Sequence, residues 1–208
     1  MLSYVTDVKE LIKRLGVRRF EGSSVSPGVP YQNIPGVSET AHRVGSDTRS
    51  FRINELIELQ DKTVLDLGCN VGSISGALSK FGAKVTGIDH DEDSIAVAQA
   101  VHTDCGFSVG KIDLDFIKSL PHYDVIVWLS QFNWLVRQKG AEHALDCLWE
   151  IGKHCDTLVF ETAGRDDGMA PIDCGQEEVY ALLARNTIFT DITDCGQWDD
   201  DWTPRNVF

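Results

Sequence analysis

Short apolar segments alternate with segments of helical period along most of this sequence, and this alternation constrains the fold more than any other feature. The apolar runs occupy residues 63–67, 84–89, 107–112, 123–129, 157–162 and 187–193. The helical patterns lie near residues 72–81, 91–103, 137–152 and 176–186. Strands that are apolar on both faces and are joined by helices form a mostly parallel sheet with both faces covered. The sequence therefore predicts a doubly wound α/β domain.

The first 60 residues have a different pattern. Apolar residues at helical spacing predict helices over residues 4–15 and 47–60. Between them, residues 21–47 are rich in glycine, proline and serine, and a loop of this length is more often a lid or a binding segment than a connector. We expect a single domain over residues 1–208, with N-terminal helices and a lid in 1–60 and the α/β core in 61–208.

The excess of negative charge lies in residues 61–208. The chain of 208 residues has a formal net charge of −13. Residues 1–60 hold 8 Lys and Arg against 7 Asp and Glu, whereas residues 61–208 hold 11 against 25. The negative charge of residues 61–208 argues against non-specific binding to nucleic acid, although the basic first helix remains a candidate docking arm. That helix face is equally consistent with ordinary solvation.

Several classes of protein are excluded by what the sequence lacks. No apolar run approaches the roughly 18 residues of a membrane span, and no signal-peptide core is present, so we expect a cytoplasmic protein. The six cysteines form no C-x-x-C pair, which argues against a zinc site or a disulfide framework. No metal site is expected.

The sharpest motif is the run from Val64 to Gly72, VLDLGCNVG, which joins the first predicted strand to a helix. Gly68 allows a tight turn, Gly72 allows a ligand to approach the backbone, and Asn70 tolerates a left-handed conformation. Asp89 ends the next strand, 21 positions after Gly68. At this spacing a carboxylate accepts both hydroxyls of a ribose, so the motif predicts a nucleoside-containing ligand.

Two common classes of nucleotide-binding enzyme do not fit this sequence. None of the four tyrosines is followed by a lysine four positions later, which excludes the chemistry of short-chain dehydrogenases. No Gly-x-x-x-x-Gly-Lys-Ser/Thr motif exists, which excludes P-loop enzymes.

The segments VLDLGCNVGSIS, VTGIDHDEDSIAVAQA and YDVIVWLS resemble the Rossmann-like (class I) S-adenosylmethionine (SAM) methyltransferase superfamily, in particular its small bacterial and viral members. The resemblance covers residues 61–162 and departs at Asn70, where many members have glycine. It implies a mostly parallel seven-stranded sheet with an N-terminal helical cap. It also implies a C-terminal antiparallel hairpin, formed by residues 187–193 and 205–208.

The resemblance also implies a cofactor site for SAM, which becomes S-adenosylhomocysteine after transfer. Asp66, Gly68 and Gly72 would surround the methionine part, and Asp89 would bind the ribose. The remaining cofactor-site residues are His90, Asp113 and Leu114 near the adenine, Cys69 and Asn70 within the turn, and Ser130 after the fourth strand.

The carboxylate of SAM needs a cation or a helix N-terminus. The helix after Gly72 supplies part of that field. Arg49 or Arg52, on the helix before the first strand, could supply the rest. Alternatively, these arginines simply pair with Glu55 or Asp47 at the surface.

The methyl acceptor is expected at the carboxyl ends of the central strands, where open parallel sheets bind their ligands. The candidates for substrate binding are Gln131, Phe132, Asn133 and Trp134. Phe132 and Trp134 either stack on the substrate or the sulfonium, or pack in the core. A base is needed only for a hydroxyl or a protonated amine, and the candidates are Glu161, Tyr31 and His42.

Three functions remain open from the sequence. The first is SAM-dependent methylation of a small molecule or of a sugar- or lipid-linked intermediate. The second is methylation of RNA or protein, and the third is a non-catalytic SAM-binding module. The absence of an Asn/Asp-Pro-Pro-aromatic motif argues against N-methylation of the adenine or glutamine type.

Overall fold

A computed structural model describes residues 46–162, 176–198 and 205–208, together with Glu10 and Gln32. The helix expected over residues 4–15 lies outside the described residues except for Glu10. The expected lid over residues 21–47 lies outside them except for Gln32 and residues 46–47. The candidate bases Tyr31 and His42 also lie outside them.

The described chain alternates strands and helices. In chain order the elements are α1 (Ser46–Leu56), β1 (Thr63–Leu67), α2 (Ser73–Lys80), β2 (Lys84–Asp89), α3 (Glu92–Val101), β3 (Gly106–Val109), α4 (Leu114–Lys118), β4 (Tyr123–Leu129), α5 (Phe132–Lys139), α6 (Ala141–Gly152), β5 (Cys155–Glu161), α7 (Gln176–Asn186), β6 (Gln197–Trp198) and β7 (Arg205–Asn206). Strands β1 to β5 form one sheet in the order β3-β2-β1-β4-β5, and every pair is parallel. The α/β fold with a parallel sheet is therefore confirmed.

Apolar side chains cover both faces of the sheet. Successive residues of a strand point to opposite sides, so each strand contributes to both faces. Val64 of β1 packs on one side with Ile53 of α1 and Leu78 of α2. Leu65 packs on the other side with residues of α4, α5, α6 and α7. None of the described helices is long and apolar enough to cross a bilayer.

The C-terminal region differs from the expectation. Residues 187–193 form no strand, because the Thr187 hydroxyl donates to the Leu183 carbonyl at 2.8 Å and ends α7 instead. The short strands β6 and β7 form a separate antiparallel pair. Among the described residues, the main sheet thus has five strands in place of the expected seven.

Backbone hydrogen bonds nevertheless connect these C-terminal segments to β5. The Phe160 N–H donates to the Phe208 carbonyl at 2.8 Å, and the Phe208 N–H donates back to the Phe160 carbonyl at 3.0 Å. On its other side, the same terminal segment bonds to the segment containing β6, where the Cys195 N–H donates to the Val207 carbonyl at 2.9 Å.

Two helices were not expected from the sequence. The five-residue α4 follows β3, and the helix predicted over residues 137–152 is two helices that meet at Gly140, which has φ 89°. The candidate acceptor residues Phe132 to Trp134 lie in the first turn of α5.

Glycines on β2 and β3 provide a test of the packing. A Cβ at Gly87 would lie 2.6 Å from Phe107 Cδ1 and 2.9 Å from Cys69 Sγ, whereas one at Gly106 would meet nothing closer than 3.8 Å. We expect Gly87→Ala to lower the free energy of unfolding by about 1–3 kcal/mol through overpacking. Gly106→Ala, the control, should stay within about 1 kcal/mol of the wild type. Urea denaturation of both variants tests this, and equal losses would contradict the packing described here.

Candidate active site

The turn after β1 is built from residues with positive φ. Gly68 has φ 83°, Asn70 has φ 55° and Gly72 has φ 77°. The N–H groups of Gly68 and Cys69 both donate to the Ile88 carbonyl, at 2.8 and 3.1 Å. The turn is thus fastened to the end of β2, and it leads into α2, whose N-terminus has no side-chain cap.

Asp89 ends β2 and joins two loops through its carboxylate. Its Oδ2 accepts from the Asn70 N–H at 2.9 Å, and its Oδ1 accepts from the Asp91 N–H at 3.0 Å. The Nδ1 atom of His90 lies 3.1 Å from Oδ1, although the His90 side chain is 76% exposed. Oδ2 accepts a single hydrogen bond and so retains a lone pair for a ligand hydroxyl, whereas the second lone pair of Oδ1 faces His90 Nδ1.

Asp66 is a buried carboxylate on β1, and its Oδ2 accepts a 2.6 Å hydrogen bond from the Ser75 hydroxyl. Burial raises the pKa of Asp66 from its ordinary value of 3.8 to about 6; the Ser75 hydrogen bond opposes this rise and the charge of Asp89 adds to it. Asp66 and Asp89 thus place two buried carboxylates close enough to interact electrostatically beside the glycine turn, which suits a ligand that carries an amine and a sulfonium. Burial also raises the pKa of the Cys69 thiol, so Cys69 is a small packing residue rather than a nucleophile.

The two glycines of the turn make room for different groups. A Cβ at Gly68 would lie 2.5 Å from Cδ of Gln131, so the Gln131 side chain lies directly on the turn. A Cβ at Gly72 would lie 2.8 Å from the Phe107 ring and 3.1 Å from Ala98. In the structure, Gly72 therefore makes room for protein side chains, whereas the sequence suggested close approach by a ligand.

A buried network lies at the carboxyl ends of β4 and β5. The Ser130 hydroxyl donates to Glu161 Oε1, and the Ser130 N–H donates to the Glu161 carbonyl at 2.9 Å. Arg49 Nε lies 3.3 Å from Glu161 Oε2, and the Arg49 side chain is 5% exposed. Arg49 thus forms a buried ion pair and not the surface pair considered as an alternative, while Arg52 is exposed.

The aromatic candidates have different surroundings. Phe132 is fully buried, with its ring 5.8 Å from that of Trp128 and 5.5 Å from that of Phe160, so it packs in the core. Trp134 is 45% exposed, and the Arg137 guanidinium lies 5.9 Å from its ring centroid. Asn133 is 1% exposed, and its Oδ1 has no hydrogen-bond partner among the described residues.

The expected adenine neighbours lie after β3. Asp113 caps α4 by accepting from the Phe116 N–H at 3.1 Å, and Leu114 is half-buried beside it. Ser75 is a site residue that sequence reasoning missed, although a small polar residue in the first turn of α2 is a usable signal. The contact of Arg49 with Glu161 has no such signal, because 112 positions separate the two residues.

Two further observations concern possible metal ligands and the position of the main cavity. Within the described ranges, no group of three or more His, Cys, Asp or Glu side chains could hold a metal ion. A cavity of about 590 Å³ runs along the outer edge of β5, between α1 and residues 187–193, and none of the glycine-turn residues line it.

A strand-end glycine turn, with a buried acid at the end of the next parallel strand, defines a Rossmann-like domain that binds a nucleoside-containing ligand. Residues 64–153 match the Methyltransferase domain family. Ubiquinone biosynthesis O-methyltransferase from Pseudomonas savastanoi pv. phaseolicola (strain 1448A / Race 6) is 41% identical over 167 residues, which cover 74% of this chain and 71% of that protein. This chain belongs to the class I SAM-dependent methyltransferases, and its cofactor is SAM.

Solved structures agree in fold. The bifunctional kinase-methyltransferase WbdD is 25% identical with a TM-score of 0.73, covering 86% of this chain. This chain spans only 43% of the length of WbdD. Magnesium protoporphyrin IX methyltransferase (ChlM) from Synechocystis PCC 6803, solved with bound SAM, superposes with a TM-score of 0.61 over 98% of this chain and 94% of its own. At 19% identity, that likeness shows the fold alone.

The raised pKa of Asp66 gives a test of the burial of this carboxylate. Because the folded state raises this pKa, it holds a proton that the unfolded state has released between about pH 4 and 6. We therefore expect the wild type to lose stability relative to Asp66→Asn as pH rises from 4 to 7, by up to about 3 kcal/mol. Chemical denaturation at several pH values measures this difference. The exposed Asp115→Asn variant is the control, and a pH-independent difference for Asp66→Asn would contradict the assignment.

Proposed function

We propose that this enzyme transfers the methyl group of SAM to an oxygen atom of a small-molecule acceptor. The observation that carries the proposal is the 41% identity to a protein named as an O-methyltransferase, over 71% of that protein's length. The net charge of −13 supports a small acceptor over RNA, because like charges repel a phosphate backbone. A sugar- or lipid-linked hydroxyl is the same chemistry on a larger carrier.

The cofactor residues follow from the glycine turn. We place the methionine part of SAM against Asp66, Gly68, Cys69, Asn70 and Gly72, with Ser130 at the facing turn. The lone pair that Asp89 Oδ2 retains supports ribose binding there, next to His90, Asp113 and Leu114 for the adenine. Arg52 is exposed on α1 and is our candidate for the SAM carboxylate. The cofactor supplies a methyl group already activated on a sulfonium, so the chain's residues mainly hold and orient the reactants.

For the acceptor we propose Gln131, Asn133 and Trp134. The Gln131 side chain lies on Gly68, so it borders both the cofactor turn and the acceptor region. The buried Asn133 Oδ1 is an acceptor that a substrate hydroxyl would satisfy, since unpaired buried polar atoms are costly. Phe132 supports this turn from the core. A hydroxyl acceptor needs a base, and Tyr31 and His42 remain our candidates.

We also propose that the C-terminal segments complete a seven-stranded sheet. The hydrogen bonds of Phe208 with Phe160, and of Val207 with the segment before β6, support two additional strands beyond β5. The terminal strand would then run antiparallel to β5, as does the bridge between Glu161 and Val207.

Replacement of Asp89 tests the cofactor assignment. Asp89→Ala removes the acceptors for the ribose and for the Asn70 N–H, so we expect affinity for S-adenosylhomocysteine to fall by on the order of 1–3 kcal/mol. Titration calorimetry measures this value. Glu92→Gln, which removes one exposed charge from the first turn of α3, should bind as the wild type does. Wild-type affinity in Asp89→Ala would refute the ribose placement.

Transfer to chemically distinct probes tests the proposed reaction. We expect label from methyl-tritiated SAM to appear on the hydroxyl of catechol or of methyl mannoside and not on benzylamine, a matched amine control, or on a short RNA. Mass spectrometry of the product should show a methyl ether. Label on the amine or the RNA alone would contradict O-methylation. Binding of S-adenosylhomocysteine without transfer to any probe would instead favour a non-catalytic module.

A further inference from the structure

Three buried side chains connect elements that are far apart in the sequence. Arg49 lies on α1, Glu161 ends β5, and Ser130 lies between β4 and α5. Glu161 is 0% exposed, and its two carboxylate oxygens face different partners: Oε1 accepts from the Ser130 hydroxyl, and Oε2 lies 3.3 Å from Arg49 Nε. All three residues are more than nine-tenths buried.

This arrangement does not suit a general base. A base must come within hydrogen-bond distance of the proton that it removes. The Glu161 side chain has no accessible surface, and both of its oxygens are directed at protein groups. The guanidinium of Arg49 carries a permanent charge, and it compensates the charge of the buried carboxylate. The position of Glu161 therefore favours a role in stabilising the neighbouring backbone over a role in accepting a proton from a substrate.

The structure that Glu161 holds is the turn at Ser130. Ser130 has φ 59°, a left-handed conformation that is unfavourable for a residue with a side chain. Two hydrogen bonds to Glu161, one from the hydroxyl and one from the backbone N–H, favour this conformation. The next residue is Gln131, whose side chain lies on Gly68 of the cofactor turn. The contacts thus run from Arg49 and Glu161 through Ser130 and Gln131 to Gly68.

We infer that Glu161 is a positioning residue, which acts through Ser130 and Gln131 to hold the acceptor-side turn against the cofactor turn. Arg49 serves it by compensating its charge. The inference deepens the proposed function and rests on it for the reaction. Its effect on cofactor binding can be measured without an acceptor.

The first test separates the charge of Glu161 from its hydrogen bond. Glu161→Gln retains an oxygen for the Ser130 hydroxyl but removes the negative charge that lies 3.3 Å from the buried Arg49 Nε, which weakens the network. We expect affinity for S-adenosylhomocysteine to fall by about fivefold or more. The double variant R49M/E161Q removes both charges and should recover to within about twofold of the wild type. Titration calorimetry on protein shown to be folded by circular dichroism gives both values.

Two results of this test would overturn the inference. One is wild-type affinity in Glu161→Gln, which is what a base that touches only the acceptor would give. The other is a double variant that binds no better than Glu161→Gln. Neither result depends on methyl transfer, so failure of the inference is distinct from failure of the proposed reaction, which the probe assay reports.

A second pair of variants tests the turn itself and serves if Glu161→Gln does not fold. Ser130→Ala loses the hydroxyl and keeps the unfavourable φ, whereas Ser130→Gly loses the hydroxyl but adopts φ 59° without strain. We expect Ser130→Gly to bind S-adenosylhomocysteine about threefold more tightly than Ser130→Ala. Equal affinities would mean that the turn conformation does not reach the cofactor turn, and the inference would be wrong.

The pH dependence of transfer to the hydroxyl probe adds a kinetic readout. With a positioning role, R49M/E161Q keeps the shape of the wild-type profile of kcat/KM against pH. Loss of the acidic limb of this profile in the double variant would show that Glu161 accepts the proton, and it would overturn the inference.

Discussion

The attachment of the glycine turn to the end of β2 is the contact on which the proposed cofactor site depends. The Ile88 carbonyl accepts from Gly68 and Cys69, and the neighbouring Asp89 carboxylate accepts from Asn70. Three consecutive N–H groups of the turn therefore end on two consecutive residues of one strand. Since Asp89 also accepts from the Asp91 N–H, the same carboxylate sets the start of α3. The shape of the turn and the position of the proposed ribose acceptor cannot change separately.

The sequence predicted the central part of the sheet because burial on both faces leaves a clear pattern. The structure has β1, β2 and β4 with the bounds expected from the apolar runs. The prediction from the sequence failed where a side-chain hydrogen bond competes with the pattern of apolar residues. The alternation in residues 187–193 resembles a strand, yet the Thr187 side chain bonds back to Leu183 and ends a helix. The turn at Ser130 leads directly into α5, whose first residues did not show a helical pattern in the sequence.

The site was predictable to the extent that its residues are neighbours in sequence. The conformation of Asn70 and the place of Asp89 at a strand end follow from spacing within a single βαβ unit. The buried pair of Arg49 and Glu161 does not, because the fold brings together one residue that precedes the first strand in sequence and another that ends the fifth. The solvent exposure of the aromatic candidates could not be predicted from the sequence either. Phe132 and Trp134 are two positions apart, but Phe132 lies in the aromatic core and Trp134 faces solvent.

The ring of Phe107 links the edge of the sheet to the glycine turn. It fills the space that a side chain would need at Gly72 and also at Gly87, although Phe107 itself belongs to the edge strand β3. The sizes of these three positions are thus set jointly. In divergent copies of this domain, replacement of the phenylalanine by a smaller residue would relieve only part of the crowding at Gly87, because a Cβ there would still lie 2.9 Å from Cys69 Sγ, whereas Gly72 would remain restricted by its backbone angle. A side chain at position 87 is therefore expected only where positions 69 and 107 have both become smaller.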